Sequence, residues 1–160
     1  MTRSGADLAL LLLGGFRTLV DKAMAELEVR GHPDFRPSHD FALRAIASGA
    51  DSASALGRQL SVSKQAAAKT IAVLQDRGYL TSATDPLDAR RNKLQVTQRG
   101  FAVLQIGEAV FDELREEWVG QIGADEVARL ETHLAALVAS SSRRFDEIPG
   151  WMATDLGEVD

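Results

Sequence analysis

Residues 52–100 read SASALGRQLSVSKQAAAKTIAVLQDRGYLTSATDPLDARRNKLQVTQRG, and the fold turns on this stretch. Ser52 is placed to cap a short helix bearing Leu56 and Leu60. Ser61-Val62-Ser63 makes a tight connection. Ser63 is placed to cap a helix from Lys64 to about Arg77, which Gly78 ends. Tyr79 to Ser82 has strand character. Thr84-Asp85-Pro86-Leu87-Asp88 reads as a turn, because Asp bonds its own backbone and Pro presets φ. Lys93 to Thr97 alternates polar and apolar as a returning strand. The expected unit is helix, tight turn, helix and a short hairpin with a long charged tip.

That order suits duplex DNA. Two short helices locked at a steep angle let the second project into a major groove about 12 Å wide, with the hairpin beside it reaching the minor groove. At about 100° per residue, Ala67, Ile71 and Leu74 share an inward face, while Gln65, Ala68, Lys69 and Ala72 share the opposite one. The outer face is small or hydrogen-bonding, so the backbone can approach the bases. Gln65 can pair with adenine, and Lys69 can reach phosphate or guanine. Ser63 and Lys64 sit at the helix N-terminus, where free N–H groups favour phosphate.

The flanks read as helices. Leu8, Leu12, Phe16, Leu19, Ala23 and Leu27 recur at helical spacing, and Gly31 and Pro33 stop the run. Ser38 is placed to cap a second helix carrying Phe41 and Ile46, which Ser48-Gly49 ends. Two long helices follow, from about Gln98 to Gln121 and from about Asp125 to Phe145. Asp125 and Glu126 at the start of the last helix, and Arg143 and Arg144 at its end, suit the helix dipole. The expected class is mainly α with a small β-hairpin. The expected division is a helical assembly region (1–31 and 98–148), a central lobe (38–97) and a tail (149–160).

The net charge of −5 conceals a division. Between Gly57 and Gly100 there are eight Lys/Arg and three Asp, so the middle is +5 and the remainder −10. A basic middle suggests one polyanion-binding face. The chain has no cysteine, which excludes disulfides, thiolate catalysis and Cys-ligated zinc. The apolar run Leu8 to Leu13 superficially resembles a secretory signal. Asp7 abuts it, however, and Arg17, Asp21 and Lys22 stand where the signal should continue to its cleavage site. The expected compartment is the cytoplasm.

Asp85-Pro86-Leu87-Asp88-Ala89-Arg90-Arg91 resembles the wing of the MarR (multiple antibiotic resistance regulator) family, whose hallmark Asp-x-Arg is Asp88-Ala89-Arg90 here. Leu74 to Leu80 before the wing and Leu94 to Gly100 after it are similar too. The resemblance implies a winged helix-turn-helix with dimerisation helices at both ends. It implies that Arg90 enters the minor groove, with Asp88 holding it by an ion pair. A narrow groove concentrates negative potential and attracts a guanidinium. Arg91 and Lys93 are expected on phosphates. The N- and C-terminal helices of the family interlock between two chains, which implies a homodimer with Leu8, Leu11, Leu12, Leu130, Leu134 and Leu137 as contacts. The function implied is a regulator, in the first instance a repressor, reading a palindromic operator. Many relatives bind a small aromatic or anionic effector between the two regions, which makes Phe16, Val20, His39 and Phe111 the pocket candidates, with His39 alternatively a surface residue. The chain departs from the pattern at Ser82-Ala83-Thr84, Ala89 and Leu87, which lower the local positive charge.

Other classes fare worse. His32, His39 and His133 are dispersed, no phosphate-binding Gly-rich loop is present, and the acids Asp112 to Glu117 have the spacing of a solvated face. No enzyme, metal or cofactor is expected. The remaining alternative is a winged helix kept for protein–protein contact, because fold does not fix function.

Overall fold

The computed structural model describes residues 3–140. Helix α1 spans Gly5–Val29, α2 Pro37–Ala47, α3 Ala53–Leu60 and α4 Lys64–Asp76. Strands β1 (Leu80–Asp85) and β2 (Asp88–Val96) form an antiparallel hairpin, and α5 (Gln98–Ile122) and α6 (Ala124–Ser140) follow. The architecture is the expected one: mainly helical, with a hairpin wing beside a helix-turn-helix and long helices at both ends. Arg143, Arg144 and the tail 149–160 lie outside the described residues. Among the described residues, no helix is long and apolar enough to cross a membrane.

Local chemistry sets the helix ends. Ser4 and Asp7 form a reciprocal capping box on α1, satisfying two N–H groups that the first turn leaves unpaired. Ser52 and Ser63 cap α3 and α4 by accepting the N–H groups of Ala55 and Ala66. The start of α2 differs from the expectation. Pro37 is its first residue and Arg36 its cap, while Ser38 lies inside the first turn. The cap interaction comes instead from His39, whose Nδ1 accepts the Arg36 N–H at 3.1 Å. Proline suits a first helical position because its missing N–H would have been unpaired there.

One core unites the middle of the chain. Leu27, Phe35, Leu43, Ile46, Leu56, Leu74, Tyr79, Leu80 and Val103 are buried together, so α1 to α5 and β1 all contribute. A second seam of Ala23, Val110 and Leu114 joins α1 to α5. The N-terminal part of the α1 stripe stays outside. Leu8, Leu10, Leu11, Leu12 and Leu13 are all exposed, as are Leu130 and Leu137 of α6.

Candidate nucleic-acid interface

The helix-turn-helix depends on a close approach. Gly57 of α3 packs under the turn, where an added Cβ would lie 3.0 Å from the Val62 carbonyl oxygen. Ser61 turns the chain in the left-handed region (φ 55°), and the Val62 N–H returns to the Gly57 carbonyl at 2.9 Å. A larger residue at 57 would push α4 away from α3.

Helix α4 then presents two faces as its sequence spacing anticipates. Ala67, Ile71 and Leu74 are buried. Ser63, Lys64, Gln65, Ala68, Lys69 and Ala72 are exposed. The outward face thus carries two methyl groups, an amide and two ammonium groups, with no large side chain to hold the backbone off a groove floor.

The wing is fixed to this helix at its base. Gln75 Nε2 donates to Ser82 Oγ at 2.9 Å, and Thr97 Oγ1 donates to the Gly78 carbonyl. Arg99 stacks over Tyr79 and donates to the Gly31 and Arg77 carbonyls, joining the ends of α1 and α4. Tyr79 and His32, bonded through the hydroxyl and Nδ1 at 2.8 Å, are buried beneath it.

At the far end the ladder changes register. Thr84 faces Asn92, but Asp85 faces Asp88, so Ala89, Arg90 and Arg91 bulge without partners across the hairpin. The strands therefore extend further than the sequence suggested, while the three-residue excess keeps the tip broad. Two carboxylates shape it. Asp85 accepts the Leu87 N–H at 2.9 Å, and Asp88 accepts the Arg90 N–H at 3.0 Å. The implied Asp88–Arg90 ion pair is absent among the described residues, because the aspartate is spent on the backbone instead. Leu87 is 93% exposed at the apex.

Lys93 lies between two carboxylates. Its ammonium lies 3.4 Å from Asp85 and 3.9 Å from Asp51, in the loop before α3. The Leu94 N–H adds a bond to the Asp51 carbonyl. Lys93 thus anchors the wing, and Asp85 is nearly buried beside it. The Leu87 N–H, and then Lys93, hold the Asp85 carboxyl below its usual range. Sequence reasoning missed Asp51 and Asp85, because no local signal pairs a loop acid with a strand lysine forty residues away.

The charges elsewhere behave differently. Lys22, Arg30, Arg44 and Arg115 of the flanking helices and α2 are each paired with a carboxylate. Among the described residues Lys64, Lys69, Arg90 and Arg91 are in no ion pair. The unneutralised cations thus include those of the α4 face and the wing tip, which leaves them available to an external polyanion.

The pocket candidates divide. Phe16, Val20 and Phe111 line an apolar cavity of about 90 Å³ between α1, α2 and α5, together with Phe41 and Asp40. His39 does not line it. It is buried against Phe35, rather than lying on the surface, and borders a separate groove beside α4. Burial pushes the Asp40 carboxyl up, opposed by its bonds to Arg44.

Two short helices joined by a tight turn, with a paired hairpin and an exposed cationic face beside them, define a winged helix-turn-helix protein. A family model described as "MarR family" matches residues 37–91, about a third of the chain. Solved structures share the architecture over most of its length. Streptococcus pneumoniae FabT in complex with DNA is 16% identical with a TM-score of 0.69, covering 85% of this chain and 96% of its own. The Thermotoga maritima regulator Tm0710 is 20% identical with a TM-score of 0.63, covering 89% and 99%. Staphylococcus aureus MepR bound to ethidium bromide is 14% identical with a TM-score of 0.58, covering 86% and 96%. At these identities the likeness is one of fold. No curated protein sequence matches the chain. Residues 37–91 are thus similar to the MarR family, and the chain as a whole has the winged helix-turn-helix fold of these solved structures.

Proposed function

We propose that the chain is a cytoplasmic repressor that binds a palindromic operator as a homodimer and is released by a small effector. The observation that carries the DNA-binding part is the charge on one surface: Lys64 and Lys69 of α4 and Arg90 and Arg91 of the wing tip are in no ion pair among the described residues, whereas Lys22, Arg115 and Arg129 of the flanking helices are paired with acids. In this reading Gln65, Ala68, Lys69 and Ala72 meet the major groove, Ser63 and Lys64 meet phosphate, and Arg90 enters the minor groove with Arg91 on the backbone. FabT, a similar fold, is solved in complex with DNA.

The exposed leucines of α1 and α6 support the dimer. Leu8, Leu11, Leu12, Leu130 and Leu137 are exposed apolar side chains among the described residues, and Leu134 is half-buried beside them. Two α4 helices would then address half-sites about 34 Å apart. Residues 1–31 and 98–148 form the assembly region in this scheme, and 38–97 the reading lobe. The cavity at Phe16, Val20 and Phe111 is the effector site. It is apolar apart from Asp40, whose carboxylate is already paired with Arg44, so the lining favours a neutral aromatic. MepR, a similar fold, is solved with ethidium.

The test is retardation of duplex from the DNA upstream of the chain's own coding sequence, measured over a salt series. Neutralised phosphates require affinity to fall steeply with salt. Salt-insensitive behaviour, or no retardation at low ionic strength, would favour the protein-contact reading. Sedimentation should show a dimer, and Leu11→Glu with Leu12→Glu should give a monomer; a monomeric parent chain would reject the assembly.

A further inference from the structure

A second groove runs along the other flank of α4, between that helix and the start of α2. Its volume is about 480 Å³. Leu56, Leu60 and Val73 contribute an apolar floor, while Arg36, Lys69 and Arg77 contribute three cations, and no carboxylate is among its described lining residues. His39 at its edge stays neutral near pH 7 and adds no charge to it. Burial first, and then Arg77 and Arg36, bring its pKa down to about 4. Lys69 is in no ion pair among the described residues, and Arg77 reaches only a neutral partner, the Asp34 carbonyl, at 2.8 Å.

The chain carries a segment of matching chemistry. Asp146 to Asp160 contains five acids and no base, with Ile148, Trp151, Met152 and Leu156 between them. This segment lies outside the described residues, so the match is one of sequence and reach. The twenty residues after Ser140 can extend over roughly 66 Å. A compact body of this size has a radius of gyration of roughly 14 Å, so the groove is within range.

We propose that the groove beside α4 binds this chain's own acidic segment, Asp146 to Asp160, and that the segment competes there with duplex DNA. Apolar side chains such as Trp151 meet the floor, and the carboxylates meet Arg36, Lys69 and Arg77. Each exposed pair is weak, but the tether supplies a high effective concentration. Lys69 borders both the groove and the exposed reading face, so segment and duplex exclude one another. The competition rests on the DNA-binding reading; the docking itself does not.

The experiment uses the full chain with Trp118→Phe, which leaves Trp151 as its single tryptophan. Trp118 packs near Gly15 and does not line the groove. At about 50 mM salt, where screening is modest, Trp151 should be shielded from acrylamide, and Arg36→Gln with Lys69→Gln should expose it. Neutralising the five acids to Asn or Gln should raise duplex affinity roughly three- to tenfold. A fully quenchable Trp151, or shielding indifferent to the groove substitutions, overturns the proposal. Shielding that grows with protein concentration would assign the segment to a neighbouring copy and overturn the intramolecular form. If no variant binds duplex, the DNA-binding reading fails, while the quenching result still decides the docking.

Discussion

The Asp88 carboxylate accepts the backbone N–H of Arg90 at 3.0 Å and so sets the path of the chain beneath the guanidinium, leaving the guanidinium itself unneutralised. An ion pair would have masked the charge that a minor groove attracts. A bond to the backbone aims the arginine and preserves that charge.

Arg90→Ala should weaken duplex binding by about 1–3 kcal/mol while leaving the thermal midpoint unchanged, because the side chain is exposed. Asp88→Asn separates the two roles of the acid. An amide oxygen can still accept the Arg90 N–H, so binding should be kept, whereas Asp88→Ala should lose affinity. Equal losses for the two variants would restore the ion-pair account.

Lys69 and Lys93 should respond differently to salt. Lys69→Met removes a bare ammonium and should reduce the salt slope of duplex binding by about one phosphate's worth. Lys93 is held by Asp85 and Asp51, so Lys93→Met should leave the slope nearly unchanged and loosen the wing. Amide exchange at Leu94, whose N–H bonds to the Asp51 carbonyl, should then quicken.

Gly100 of α5 packs closely against Tyr79 and Val96. An added Cβ would collide with the Tyr79 carbonyl oxygen and lie 2.6 Å from Val96 Cγ1. Gly100→Ala should therefore cost about 1–3 kcal/mol in denaturant unfolding. Gly120, where an added Cβ meets nothing within 4 Å, should accept alanine with no loss.

Acid should destabilise the chain partly through His39. Its folded pKa, about 4, lies below the ordinary value of 6.5, so the unfolded chain binds the extra proton. The stabilisation is complete above pH 6.5 and is lost as the pH falls from there towards 4, by up to roughly 3 kcal/mol. His32, also shifted down, first by burial and then by Arg99, acts in the same direction. His39→Gln keeps an acceptor for the Arg36 N–H, and its unfolding free energy should fall less than the parent's between pH 7 and pH 4.5. Parallel curves would remove His39 from the account.

The repeating features of the chain were legible because they are local. The inward stripe of Ala67, Ile71 and Leu74 follows from helix geometry, and Ser52 and Ser63 cap through bonds spanning three residues. The start of α2 was misjudged because Ser38 and Pro37 compete for one position. The structure resolves this through a histidine ring that the local sequence does not mark as a cap.

The sequence alone determined the helix-turn-helix, the hairpin that follows it and the division of charge, since these depend on periodicity, short-range bonds and composition. Tertiary structure alone decided which charges stay bare. Lys93 is tied to Asp51 and Asp85 while Lys69 and Arg90 are not, and His39 is buried beside a cationic groove. Electrostatic availability and burial depend on through-space distance, and residues forty positions apart acquire that distance only when the core closes.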